Sequence, residues 1–122
     1  MKQTTPNIKE LHAEAQEAMD GCWFIQSMQV MDRTDSTLTL KFNIRIDLFV
    51  HVFLGETTGT LYFALIHGGH RIFGIDRASG GWHQHPFEAP HRHVPFPQGL
   101  EPKPLLTFLS MVEALLIQHD LL

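Results

Sequence analysis

Six of the nine histidines, His67, His70, His83, His85, His91 and His93, fall between residues 67 and 93. The densest part reads Arg71-Ile72-Phe73-Gly74-Ile75-Asp76-Arg77, then Gly80-Gly81-Trp82-His83-Gln84-His85-Pro86, then Pro90-His91-Arg92-His93. Residues two apart in an extended segment project to the same side, which couples His83 with His85 and His91 with His93. The flanking prolines limit how far either pair wanders. Imidazole changes charge close to neutral pH and is the commonest metal ligand, so proton transfer and metal binding are the chemistries to weigh.

Proton transfer fits a phosphodiester substrate such as RNA. Here His83 and His85 act as acid and base, His91 or His93 positions them or binds phosphate, and Asp76 orients an imidazole. Arg71, Arg77 or Arg92 neutralises the phosphate, and Trp82 stacks on a base. This chemistry needs no cofactor. The signatures of the histidine-triad and two-histidine phosphoesterases are absent, because neither pair is followed by the required third residue. The metal reading takes His83, His85, His91 and His93 as ligands, with Asp76 or Glu88 available, for Zn²⁺ or Ni²⁺. The cupin pattern does not match, since Glu88 comes too early and its second half is missing. In a third reading the rings stack on aromatics and cap loops within a non-enzymatic binding or interaction module. A thiol or serine nucleophile finds no support: the single cysteine, Cys22, sits far off in sequence, and no serine has a nucleophile-elbow context.

The elements that must carry these residues are legible in outline. A helix over about 6–20 follows from Ile8, Leu11, Ala15, Ala18 and Met19 at helical spacing, with Thr5 as cap and Asp20-Gly21 as stop. Leu38, Leu40, Phe42 and Ile44 alternate with polar residues, the mark of a half-buried strand. Residues 48–54 are denser in Val and Phe and suit a central strand. Gly68-Gly69 between two strand patterns predicts a hairpin, with His67 opposite His70, Leu65 opposite Ile72, Phe63 opposite Gly74 and Leu61 opposite Asp76. About five antiparallel strands are expected over 23–77. Residues 78–103 and the start of the final helix hold six of the seven prolines and read as an irregular, stiff loop. A helix over about 104–121 presents Leu105, Phe108, Leu109, Val112, Leu115 and Leu116 to the sheet. Leu106, Met111, Ile117 and Leu121 fall off that stripe, a second apolar face sunk in the same core or covering a homodimer contact. The expected class is a single α+β domain with an antiparallel sheet and a helix from each end of the chain packed on it.

At 122 residues the chain fits one domain. A formal charge of −4 excludes broad coating of a duplex, although residues 67–103 carry four Lys or Arg against three Asp or Glu. His12, His51 and His119 fall in separate elements and read as structural. No apolar run reaches the roughly 20 residues that span a bilayer, and a lone cysteine excludes an internal disulfide, so a cytoplasmic, membrane-free protein is expected.

The order Arg71 to Arg77, Gly81-Trp82-His83-Gln84-His85-Pro86, Pro90-His91-Arg92-His93, then a leucine-rich helix over 105–116, resembles the TumE-like toxins of prokaryotic toxin–antitoxin pairs. The likeness covers roughly residues 38–118. Arg77 stands where many members have asparagine, and the first helix lies outside the likeness. The resemblance implies an antiparallel sheet, a His-Pro loop before the final helix, and growth inhibition relieved by an antitoxin, usually a helix-turn-helix protein. Ribonuclease activity is extrapolated from the histidines.

Overall fold

The period-two pattern beginning at Leu38 becomes a strand whose alternate side chains are wholly buried: Leu38, Leu40, Phe42 and Ile44 face inward. In the computed structural model, which describes residues 6–78 and 80–122, the order is α1 (Ile8–Gly21), β1 (Ser27–Arg33), β2 (Thr37–Arg45), β3 (Leu48–Gly55), β4 (Thr60–His67), β5 (His70–Ala78), β6 (Gly81–His85), β7 (Val94–Pro95) and α2 (Pro104–Gln118). The strands form one antiparallel sheet in sequence order. The class is α+β, as expected. The strand count is seven rather than about five, because β6 and β7 lie inside the stretch read as irregular. β6 is five residues long, and Gly80 just before it takes a φ of +80°. β7 is two residues at the sheet edge, where Pro95 has no inner ladder to break.

Both helices cover one face of the sheet. Leu48, Val50, Val52 and Leu54 on β3, Leu61, Phe63 and Leu65 on β4, and Phe73 and Ile75 on β5 meet Leu11, Ala15 and Ala18 of α1 and Phe108, Leu109 and Val112 of α2. Phe108 stacks between Phe63 and Phe73, with ring centroids 5.2 and 5.4 Å away. The expected helix cap, Thr5, lies outside the described residues. Asn7 is the cap, in a reciprocal capping box with Glu10. The second helix ends at Gln118, earlier than expected, where Asp120 adopts a left-handed φ of 53° and the Leu121 amide closes back on Leu116 O at 2.9 Å. Its second apolar face is largely taken up by its own core: Leu106, Met111 and Leu121 pack there in part, and Ile117 stays exposed.

One register detail decides what reaches the opposite, helix-free face. His67 pairs with His70 as expected, but the ladder then slips at Leu65/Ile66, and the partners become Leu65–Phe73, Ala64–Gly74, Phe63–Ile75, Tyr62–Asp76 and Leu61–Arg77. The expected pairs Leu65–Ile72, Phe63–Gly74 and Leu61–Asp76 are therefore corrected by one residue. A β-bulge inserts one residue in one strand and thereby exchanges the faces of everything beyond it. Without it Asp76 would oppose the buried Leu61 under the helices; with it Asp76 stands on the open face beside Tyr62.

Candidate functional site

Strand pairing places Asp76 opposite His83 and Gly74 opposite His85, so the β5–β6 ladder sets a carboxylate and two imidazoles on one face. β7 joins the far edge of β6 and brings His93, the residue before it, over this group. Asp76 Oδ2 lies 3.2 Å from His85 Nε2, and Asp76 Oδ1 lies 3.6 Å from His93 Nε2. His93 stacks on His83 with centroids 4.2 Å apart and on His85 at 5.0 Å. One ligand atom from each of Asp76, His85 and His93 falls within 4.8 Å of the others. The Asp76 and His85 side chains are about nine-tenths covered, 10% and 12% exposed, whereas His93 is 52% exposed. The group is thus walled by the sheet and open to solvent on the His93 side.

Burial fixes what each ring can do. His85 Nδ1 is buried without a hydrogen-bond partner, and Nε2 faces Asp76. Asp76 anchors the ring through Nε2. His83 is half-buried and touches the group through the face of its ring against His93.

Gly74 makes room for a cation beside these rings. A Cβ there would stand 3.2 Å from the Arg71 side chain, 3.8 Å from the His85 ring and 3.1 Å from the Phe63 carbonyl. The Arg71 stem therefore lies over Gly74, next to His85, on the face that carries Asp76. Tyr62, 44% exposed, is the neighbour of Asp76 on β4 and packs on Phe53 at 5.9 Å. No reading of the residues alone singled out Tyr62, because its place depends on the bulge. Its alternation with buried Leu61 and Phe63 was the available signal for an outward aromatic.

Of the residues expected to do chemistry, the structure brings together Asp76, His83, His85, His93 and Arg71. Trp82 is a correction. It sits on the helix-covered face, 5% exposed, its indole N–H donating to Glu101 Oε1 at 3.2 Å, beneath Gly99, where a Cβ would come within 2.8 Å of the ring. No base can stack on it. Arg77, in register with Leu61 and Trp82, also belongs to that face. His91 and Arg92 are exposed in the turn before β7, outside the group of touching rings; the expected four-histidine metal set is therefore not assembled. His67 and His70 flank the β4–β5 turn and are exposed. His119 stacks on Phe87 at 4.0 Å, a structural contact. On the open face of β3, burial holds His51 below the ordinary histidine range.

Among the described residues no helix is long and apolar enough to cross a membrane. Comparison with protein-family models, with curated proteins and with solved structures finds no match to this chain.

Proposed function

We propose that the chain is the toxin of a toxin–antitoxin pair and that it cleaves RNA at the Asp76–histidine group. The observation that carries this reading is a largely buried carboxylate touching two imidazoles, with a third ring stacked on them and an arginine alongside, all on the uncovered face of the sheet. The resemblance in the Asp76 to His93 stretch supplies the toxin part of the reading, with a helix-turn-helix antitoxin as the partner.

In this mechanism His83, the ring not tied to Asp76, accepts the proton of the ribose 2′-hydroxyl. The freed oxygen bonds to phosphorus, the phosphorus–5′-oxygen bond breaks, and the leaving oxygen takes a proton from water. Arg71 and the exposed ring of His93 face the phosphate, where negative charge builds up. Removing one positioned donor or proton carrier costs about 10²–10⁴-fold in rate.

The test is cleavage of a labelled single-stranded RNA together with growth inhibition on induced expression. His83→Ala and Arg71→Ala are expected to lower cleavage by about 100-fold or more while leaving the fold intact. Toxicity should fall with cleavage and be relieved by co-expression of a neighbouring helix-turn-helix protein. A folded His83→Ala variant that cuts RNA as fast as the parent overturns the mechanism. A parent that neither cuts RNA nor slows growth overturns the reading.

A further inference from the structure

We infer that Asp76, His85 and His93 together form a site for one divalent transition-metal ion of the zinc or nickel type. The inference goes beyond the nuclease reading and does not depend on it.

Donor geometry is the first support. Two ligand atoms each about 2.1 Å from one ion lie roughly 3–4 Å apart. The two carboxylate oxygens of Asp76 lie 3.2 Å (Oδ2) from His85 Nε2 and 3.6 Å (Oδ1) from His93 Nε2, and one ligand atom from each of the three residues falls within 4.8 Å of the others. Charge is the second support. Asp76 is a carboxylate 10% exposed whose ion-pair partners here are imidazoles. A carboxylate largely removed from water gains from a cation held directly against it. A divalent ion between the three donors is such a cation.

Rigidity is the third support. Asp76 and His85 sit on two paired strands, and His93 is held by β7 on the next. Each donor thus comes from a different segment: Asp76 and His85 are fixed in the β5–β6 ladder, and His93 stands in the exposed stretch immediately before β7. Two imidazoles and one carboxylate suit zinc, nickel, manganese or iron, and disfavour calcium and magnesium, which take oxygen ligands. With three protein ligands and an exposed His93, the remaining position faces solvent, as in metal sites that act on a substrate rather than brace a fold.

The experiment uses the full chain stripped with a chelator and titrated with Zn²⁺ alone, followed by calorimetry and by metal analysis after gel filtration. One zinc per chain is expected. His93→Gln, at a half-exposed ring that leaves the core alone, should weaken binding by about 100-fold or more, and Asp76→Asn should do the same; His91→Gln should leave it unchanged. Side-chain nitrogen NMR of the parent gives a readout free of folding effects, since zinc should shift Nε2 of His85 and His93 and not the ring of His91. Failure to retain zinc, or zinc retention indifferent to His93→Gln and Asp76→Asn, overturns the site. Stoichiometric zinc without RNA cleavage removes the nuclease reading and leaves the site standing. Cleavage by metal-free protein that binds no zinc does the reverse.

Discussion

At the scale of single residues, the site depends on an absence. Gly74 has no side chain, and the space beside it holds the Arg71 stem and the edge of the His85 ring. Its would-be Cβ contacts, 3.1 Å to the Phe63 carbonyl and 3.2 Å to Arg71, are tighter than ordinary packing. Arg71 is long and can swing away, but the carbonyl belongs to a paired strand and cannot. Gly74→Val should therefore cost about 1–3 kcal/mol of stability through overpacking. It should also displace Arg71 and His85, lowering RNA cleavage by more than the loss of folded protein explains. Denaturant unfolding and cleavage measured on the same preparation check this. A Gly74→Val protein with parental stability and parental cleavage would show that the space is idle.

At the scale of elements, α2 begins without a side-chain cap of its own, since Lys103 makes no such bond. The cap comes from the other helix: buried Glu14 on α1 accepts the Leu106 amide at 2.8 Å, and Lys103 binds Glu17 at 3.0 Å. Burial pushes the Glu14 carboxyl above the usual range, while the Leu106 and Leu105 amides pull it back in part. A carboxyl with a raised value in the folded chain binds more protons folded than unfolded, so its favourable contribution is complete at low pH and fades as pH climbs through the raised value. Glu14→Gln keeps an acceptor for Leu106 and has nothing to ionise. Its stability relative to the parent should therefore improve as pH rises from about 4 to about 7, measured by unfolding at each pH. A gap independent of pH would refute the burial of the charge. Elements were also the scale at which sequence patterns spoke most clearly. The strict alternation from Leu38 to Ile44 announced a strand with one wet face, and the stripe from Leu105 to Leu116 announced a helix on the core. The histidine-dense stretch was legible as the place where imidazoles gather. Its membership was not, because a one-residue bulge near Ile66 decides which face Asp76 joins, and no composition signal marks a bulge. β7 was hidden for a related reason: two residues carry no periodicity. Trp82 looked available for stacking because its fate depends on Gly99 returning over it from a distant part of the loop.

At the scale of the whole molecule, the helices, the acidic α1 among them, cover one face of the sheet, and the histidine group opens on the other. The stretch between β6 and α2 joins the two sides. It carries His93 to Asp76, hydrogen-bonds the Phe96 amide to Trp82 O at 2.9 Å, and anchors Phe87 against His119 beyond the end of α2 at 4.0 Å. Its attachments are few compared with the continuous core under β2–β5, so this segment should open on its own, at lower free energy than global unfolding. Phe87→Ala removes one of those attachments, a stacked pair worth about 0.5–1.5 kcal/mol, at a side chain only partly buried against the core. The expected result in native-state hydrogen exchange is selective: protection of the Phe96 amide falls several-fold, while amides of β3 such as Val50 and Val52 exchange as before. Because His93 travels with the segment, zinc affinity should weaken in the same variant although all three donors are intact. Loss of protection spread evenly over β3 and Phe96 would mean that the segment and the core unfold as one unit, and that the site shares the stability of the whole sheet.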